Sequence, residues 1–304
     1  LAPMADVTDA GFRCIIAKVS KGIFEMPQSQ KVPLVTFVTY TEFVSAEGLM
    51  SRGREVLLHD LQFHKSEHPI VAQIFGSDPG VCAAATEYIC ALGFDGIEIN
   101  MGCPDKAVVK QGAGAALIDN PARAVSILKE MKRAAGKIPV SVKTRLGMRS
   151  DVVEEWFPRL IEAGPVAITV HARTAKELSL VPARWERVRR VVELAKGSGI
   201  RVIGNGDVVS LEDGYARARA AGAQGFMVGR AAIGNPFFFS GRADVALAER
   251  LKAMCEHARL FEKLMPWKRF VHVRKHLSKY VSGIRGAKDF RADLMRAKNA
   301  EGVV

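Results

Sequence analysis

No stretch of this 304-residue sequence approaches the roughly 18 uninterrupted apolar residues of a membrane span, so no transmembrane helix is expected. The opening Leu1-Ala2-Pro3-Met4 has no initiator methionine and no basic segment ahead of an apolar one. A secretory signal is therefore not expected, and a short N-terminal piece is expected to precede Leu1. The five cysteines form no C-x-x-C pair and no even, closely spaced framework, which argues against a disulfide scaffold. A reduced, cytoplasmic setting is expected, without a metal site. No apolar run is followed by the G-x-G-x-x-G of a dinucleotide fold, and no internal repeat or low-complexity tract stands out.

What is present is an ordinary globular composition, 48% hydrophobic and 25% charged, enough for one large domain with an appendage. The net charge of +12 points toward a polyanionic partner. Its distribution is more telling than its size. Residues 243–304 hold 14 Lys or Arg against 7 Asp or Glu, whereas the first 242 residues hold 30 against 25.

Eight short apolar runs alternate with segments of helical spacing: 1–4, 34–39, 70–75, 96–100, 140–143, 167–171, 201–204 and 225–229. Helices are expected over 9–20, 79–92, 121–135, 152–163 and 211–221. Capping residues Asp9, Asp78, Asn120 and Ser210 precede or open four of them, and glycines 93, 136, 164 and 222 follow four. Strands alternating with helices imply parallel pairing, and eight units within about 240 residues imply a (β/α)₈ TIM barrel of the α/β class. An open doubly wound sheet is the competing architecture. After Gly234-Asn235-Pro236 the strand signals stop, and helices are expected over 243–264, 267–281 and 288–298. The expected domains are a catalytic barrel over 1–240 and a small basic C-terminal helical domain over 241–304.

Barrels carry chemistry where strands end. Polar residues recur there: Gln73, Asn100 with Cys103, Lys143 with Arg145, His171 with Arg173, Asn205-Gly206-Asp207 and Gly229-Arg230. The last two segments are small-residue turns that expose backbone N–H groups beside a guanidinium, which suits a phosphate. Their alternative reading is glycine merely turning the chain, and Asp207 is expected to order its loop. Lys143 follows Val140 and Val142 in a strand, where a solvated lysine fits poorly. A cation fixed there would stabilise charge on the N1–O2 edge of a reduced flavin. His171 and Gln73 can serve a ring edge or the rim's own hydrogen bonds. Cys103 lies between Gly102 and Pro104, near a Gly112-Ala113-Gly114 loop. A thiol with a reference pKa of about 8.5 stays mostly protonated at neutral pH. It can then act as a general acid.

Taken together, the segments Ala2-Pro3-Met4, Gln73-Ile74-Phe75-Gly76, Asn100-Met101-Gly102-Cys103-Pro104, Gly112-Ala113-Gly114, Val142-Lys143-Thr144-Arg145, His171-Ala172-Arg173-Thr174, Gly204-Asn205-Gly206-Asp207 and Gly229-Arg230-Ala231 resemble the dihydrouridine synthase family. So do Arg274-Lys275-His276 and Tyr280 in the tail. The resemblance implies FMN lined by Pro3, Met4, Ala5, Gln73, Lys143 and His171, its phosphate end held by Asn205, Gly206, Asp207, Gly229 and Arg230. It implies that Cys103 is the proton donor, with Asn100 and Arg145 near a uracil. It implies hydride transfer from reduced FMN to uracil C6, a proton from Cys103 to C5, and NADPH as electron donor. The implied partner is tRNA, read in the basic tail by Lys268, Arg269, Arg274 and Lys275; no membrane or protein partner is expected. Residues 175–182 depart from the family's usual Gln-Tyr-Gly continuation, with Trp185 in the expected place.

Three alternatives stay open. One is a small-molecule FMN oxidoreductase resembling dihydroorotate dehydrogenases, which leaves the basic tail unexplained. Another is a dihydrouridine synthase acting on ribosomal RNA. The third is a non-catalytic RNA-binding barrel, against which Cys103, Lys143 and His171 argue.

Overall fold

The computed structural model describes residues 1–21, 37–242 and 244–304. Its strands are β1 (Thr39–Ser45), β2 (Ile70–Phe75), β3 (Gly96–Met101), β4 (Val140–Arg145), β5 (Ala167–His171), β6 (Arg201–Asn205) and β7 (Gly225–Met227). The helices that precede and separate them are α1 (Ala10–Lys21), α2 (Ala46–Leu49), α3 (Arg54–Leu58), α4 (Pro79–Cys90), α5 (Lys106–Lys110), α6 (Pro121–Ala135), α7 (Val153–Ala163), α8 (Trp185–Leu194) and α9 (Leu211–Ala221). Three more follow: α10 (Leu247–Leu264), α11 (Arg274–Tyr280) and α12 (Ala287–Arg296). The strands lie in one sheet in sequential order, and β2 through β7 pair parallel. This is the α/β class with the strand order of a (β/α)₈ barrel, followed by C-terminal helices, as the sequence implies.

The local reasons follow the residues. Ile97, Ile99, Val142, Ile168 and Val170 are wholly buried, as β-branched residues on one face of a sheet covered by helices should be. Helices α4 and α6 open with a proline, whose absent N–H costs nothing at that position. Asp78 caps α4 by accepting from the Val81 amide at 2.8 Å, and Ser210 caps α9 by accepting from Asp213 at 3.0 Å.

The first expected strand, 1–4, does not form. Met4 instead closes a turn: its carbonyl accepts from the amides of Val7 and Thr8, and its own amide donates to the Thr8 hydroxyl at 2.9 Å. Pro3 has no N–H to give to a ladder. Of the second expected strand, residues 34–36 lie outside the described residues, and β1 starts at Thr39. The single helix expected over 267–281 is a 3-10 turn (Phe270–His272) followed by α11, because Arg269 is extended at φ −65 and ψ 138.

The chain packs as two compact units. One comprises Leu1–Glu42, Gln62–Pro69 and Gly229–Val304; the other comprises Phe43–Leu61 and Ile70–Val228. The second contains β2 to β7 and helices α2 to α9. In the first, α1 packs against α10 around Ala10, Met254, Ala258, Phe261, Leu277, Tyr280 and Leu294. A buried ion pair anchors this unit: Arg13 Nε donates to Glu67 at 2.5 Å, and neither side chain has exposed surface. The other guanidinium nitrogens donate to the carbonyls of Thr8 and Gln62, both at 2.6 Å.

Because every nitrogen of Arg13 is used, its removal leaves Glu67 charged and buried with most of its compensation gone. Arg13→Ala is expected to cost about 3–5 kcal/mol, the range for breaking one side of a buried pair. Urea denaturation measures this, and a loss below 1 kcal/mol would show that water reaches Glu67.

Candidate active site

Parallel register sets one polar face in the strand-bearing unit. Gln73 lies opposite Glu98, Asn100 opposite Lys143, Lys143 opposite Thr169, Arg145 opposite His171, and His171 opposite Asn205. The alternate positions are the buried aliphatics named above, so strand periodicity sends these polar groups to the other face.

Hydrogen bonds join them into a chain. Gln73 Nε2 donates to Glu98 Oε2 at 2.6 Å, and Asn100 Nδ2 donates to Gln73 Oε1 at 3.0 Å. Asn100 Oδ1 in turn accepts from the amides of Gly102 and Cys103, at 3.0 and 2.9 Å. Asn100, expected near the substrate, thus holds the turn that presents Cys103. The Cys103 carbonyl accepts from the Ala115 amide at 3.0 Å. Gly114 backs this contact at φ +58, where an added Cβ would stand 2.8 Å from the same carbonyl oxygen. The Cys103 thiol is half-buried, and burial pushes its pKa up. The Asp105 carboxylate adds to this, while the Asp105 amide, Arg145 and Lys143 oppose it. The thiol therefore holds its proton throughout the neutral range.

Lys143 is half-buried, and its ammonium makes no hydrogen bond or ion pair among the described residues. Burial, reinforced by Arg145, pushes its pKa down to about 8, with Glu98 and Cys103 opposing. Glu98 is fully buried, and burial pushes its pKa up to about 7. Lys143, Gln73, Ser141 and Thr169 hold it from rising further. The sequence reading passed over Glu98. The signal was a carboxylate between Ile97 and Ile99, where alternation turns it away from the aliphatic face.

Arg145 staples backbone through two of its three nitrogens. Its Nε donates to Gly102 O at 2.8 Å, and Nη1 donates to Thr174 O and Leu178 O, each at 3.0 Å. It ties the Cys103 turn to the loop of residues 174–184. Arg173 ties down the same loop through Val181 O at 2.6 Å, pairs with Asp207, and donates to His171 Nε2 at 3.3 Å. A guanidinium only donates, so His171 carries its proton on Nδ1 in this arrangement. Asp207, at φ +53, also accepts from the Ala183 amide at 2.9 Å, which orders its loop as expected. Asn205 donates to Met227 O at 2.9 Å, and Trp185 Nε1 donates to Gly206 O at 2.9 Å.

The remaining candidates lie in the other unit. Pro3 is buried, Met4 half-buried and Ala5 exposed. A Cβ on Gly229 would meet Met4 Sδ at 3.4 Å, so these two segments adjoin, and Arg230 opens a short 3-10 turn. Lys268 pairs with Glu42 at 2.8 Å and is mostly buried, while Arg274 Nε donates to Ala297 O at 2.9 Å. Arg269 is exposed and Lys275 half-buried. Among the described residues, no group of three His, Cys, Asp or Glu side chains could hold a metal. No described helix is long and apolar enough to cross a membrane.

A thiol kept protonated thus lies within electrostatic reach of an ammonium that makes no hydrogen bond or direct ion pair among the described residues. The family model described as dihydrouridine synthase matches residues 1–303. The chain belongs to the dihydrouridine synthase family. It is thereby a flavin-dependent oxidoreductase. Among curated relatives, a "Probable tRNA-dihydrouridine synthase" of Staphylococcus aureus (strain Mu50) is 35% identical over 311 residues, covering 98% of this chain and 88% of the relative. The "Probable tRNA-dihydrouridine synthase 2" of Bacillus subtilis (strain 168) is 33% identical over 319 residues, covering 100% and 90%. Among solved structures, histamine dehydrogenase from Rhizobium sp. 4-9 aligns with a TM-score of 0.55 at 12% identity, over 83% of this chain. The chain spans 47% of that protein's length. A variant of NCR from Zymomonas mobilis aligns at 0.50 and 15% identity, over 82% of this chain and 86% of that one. At these identities the likeness is one of fold.

Gly114 leaves little room beside the Cys103 carbonyl. Gly114→Ala is expected to cost at least about 1–2 kcal/mol for the left-handed backbone alone. It should also move the Cys103 turn, so that the thiol's alkylation rate by iodoacetamide changes. Wild-type stability together with a wild-type alkylation rate would show that the loop yields without disturbing Cys103.

Proposed function

We propose that this chain reduces uridines in tRNA to 5,6-dihydrouridine with bound FMN, and that Cys103 is the proton donor. The observation that carries the reading is the pairing of a protonated Cys103 thiol with an ammonium, Lys143, that has no partner among the described residues. A half-buried ammonium whose hydrogens make no hydrogen bond or direct ion pair among the described residues fits an anionic ring edge, so the residues present suit a flavin. Gln73, Lys143 and His171 would meet the ring. Asn205, Gly206, Asp207, Gly229 and Arg230 would serve the phosphate end, with Pro3, Met4 and Ala5 along the cofactor. When bound, FMN supplies the hydride that reduces uracil at C6, and NADPH is the proposed source of electrons.

The chain's own residues do the rest. A uracil stacked in folded RNA cannot present C5 and C6, so the base must leave its stack before reaction. Cys103 then holds one proton for C5, and its raised pKa keeps that proton in place until the base arrives. Asn100 fixes the turn from which the thiol projects. Arg145 is the proposed substrate contact beside Asn100, and its Nε and Nη1 also lock the 174–184 loop to Gly102. A reaction on tRNA sets the protein in the cytoplasm.

The deciding experiment starts with purified protein, which should be yellow with one FMN per chain. Cys103→Ala should keep the FMN and its reduction by NADPH. Reoxidation of the pre-reduced variant by RNA, followed anaerobically, should slow by about 10²–10⁴-fold, the usual range for a lost general acid. A colourless protein that takes up no FMN overturns the cofactor reading; wild-type reoxidation with normal product overturns the role of Cys103. The thiol must be protonated, so the wild-type rate should be flat across neutrality and fall only at alkaline pH.

The tail is the proposed RNA-binding domain, over 241–304, and the structure divides its charges. Arg269→Glu with Lys279→Glu, both on exposed residues, should weaken RNA binding and flatten its salt dependence without loss of stability. Lys268→Glu should instead destabilise the helical unit by placing a second carboxylate against Glu42. If the exposed pair leaves RNA affinity unchanged, or free uridine serves as well as RNA, the tail does not read tRNA.

A further inference from the structure

Glu98 is a carboxyl group that the mechanism above does not use. It has no exposed surface and sits at the centre of β3. Neutral groups meet it from three strands: Gln73 from β2 at 2.6 Å, Ser141 from β4 at 3.4 Å, and the Thr169 hydroxyl from β5. The charge that faces it is Lys143 on β4, which is itself influenced by Arg145 and Cys103. Lys143 stands two residues beyond Ser141 on the same strand and forms no direct ion pair with Glu98 among the described residues. The two groups therefore balance each other through space, leaving the ammonium's hydrogens for a ligand.

The surrounding donors also fit both protonation states of the carboxyl. Gln73 Nε2 can only donate, so Oε2 must remain an acceptor. Ser141 meets the other oxygen, Oε1, and a hydroxyl can turn from donor to acceptor. A proton on Oε1 thus finds a partner without any side chain moving. A buried carboxylate paired with an arginine, as Glu67 is, has no such freedom.

We propose that Glu98 is a redox-linked proton acceptor: it binds one proton on Oε1 when the site beside Lys143 gains negative charge, and gives it up when that charge leaves. This rests on the flavin reading. In the oxidised site, Lys143 and Glu98 offset each other. Reduction by a hydride donor brings two electrons and one proton to the cofactor and leaves one negative charge near Lys143. The interior would then hold two negative charges against one positive, in surroundings that screen them poorly. One proton taken from solvent onto Glu98 restores the balance. When hydride passes to the uracil ring and Cys103 protonates C5, the negative charge moves to the Cys103 thiolate, which still faces Lys143. Once the thiolate takes up a proton from solvent that charge is gone, and Glu98 returns its own proton to solvent. With a carboxyl pKa already pushed up to about 7, the site needs little further rise for this exchange to span neutral and mildly alkaline pH.

The test compares the FMN-loaded wild type with Glu98→Gln, whose amide has the shape and hydrogen-bonding pattern of the protonated acid. The flavin's midpoint potential is measured against redox dyes from about pH 6 to about pH 9, the range that a raised carboxyl pKa covers. Above neutrality the wild type should take up close to one more proton per two electrons than Glu98→Gln, whose potential should be the higher. Identical proton uptake and potentials in the two proteins overturn the proposal. Wild-type protein carrying ¹³C-labelled glutamate provides a readout that needs no variant. Its reduced-minus-oxidised infrared spectrum should gain a label-sensitive protonated-carboxyl band, and absence of that band overturns the proposal even if Glu98→Gln fails to fold. Failure of the wild type to bind FMN is a different outcome, which removes the flavin reading itself.

Discussion

A carboxylate with no exposed surface can persist in the middle of a strand only if its neighbours hydrogen-bond it, and the parallel register meets that condition at Glu98. The donors from β2, β4 and β5 converge because side chains on adjacent strands align at a fixed spacing. Much of the site follows from that one condition. Gln73 is oriented by Glu98, Asn100 by Gln73, and the amides of Gly102 and Cys103 by Asn100. A single run of hydrogen bonds thus connects the buried charge to the backbone of the reactive thiol. Shifting any strand by one residue would turn the whole set to the aliphatic face.

Arginine plays a different part here from the one its charge advertises. Arg13, Arg145 and Arg173 are nearly or wholly buried, and each spends most of its donors on main-chain carbonyls or a neighbouring carboxylate. Five fixed donors make the guanidinium suited to stapling irregular backbone that has no ladder of its own. The loop of residues 174–184, where the sequence leaves the family's usual pattern, is held in this way from two strand ends, and Arg184 pairs with Glu177 at 2.7 Å within it. Its side chains can vary because the staples grip its carbonyls.

The helical unit shows the same economy with histidine. His276 accepts from the Gly234 amide at 3.2 Å through Nδ1 and reaches the Val7 carbonyl at 3.0 Å through Nε2. Burial pushes its pKa down to about 3, so it stays neutral and can bridge a donor and an acceptor at once. It ties the N-terminal segment to the turn after Gly229. The basic character of this unit is thus divided between charges spent internally, such as Lys268, and exposed ones such as Arg269 and Lys279.

The alternation of apolar runs and helical segments was enough to determine the parallel α/β class, the limits of β2 and β5, and those of α6 and α9, because period and capping are local properties. The motif around Cys103 and the lysine inside an apolar strand were equally plain, since a polar residue where its neighbours are buried stands out in one dimension. The segment at 1–4 was misread as a strand because apolar composition cannot show that Met4 closes a turn onto Thr8. Tertiary structure alone decided that Asn100 and Arg145 hold backbone, that Lys268 is paired with Glu42, and that Glu98 joins the site at all. Apart from the bonds of Asn100 to Gly102 and Cys103, each of those depends on partners that lie from 25 to 226 residues away in the chain, and spacing along a sequence carries no information about which distant groups a register will bring together.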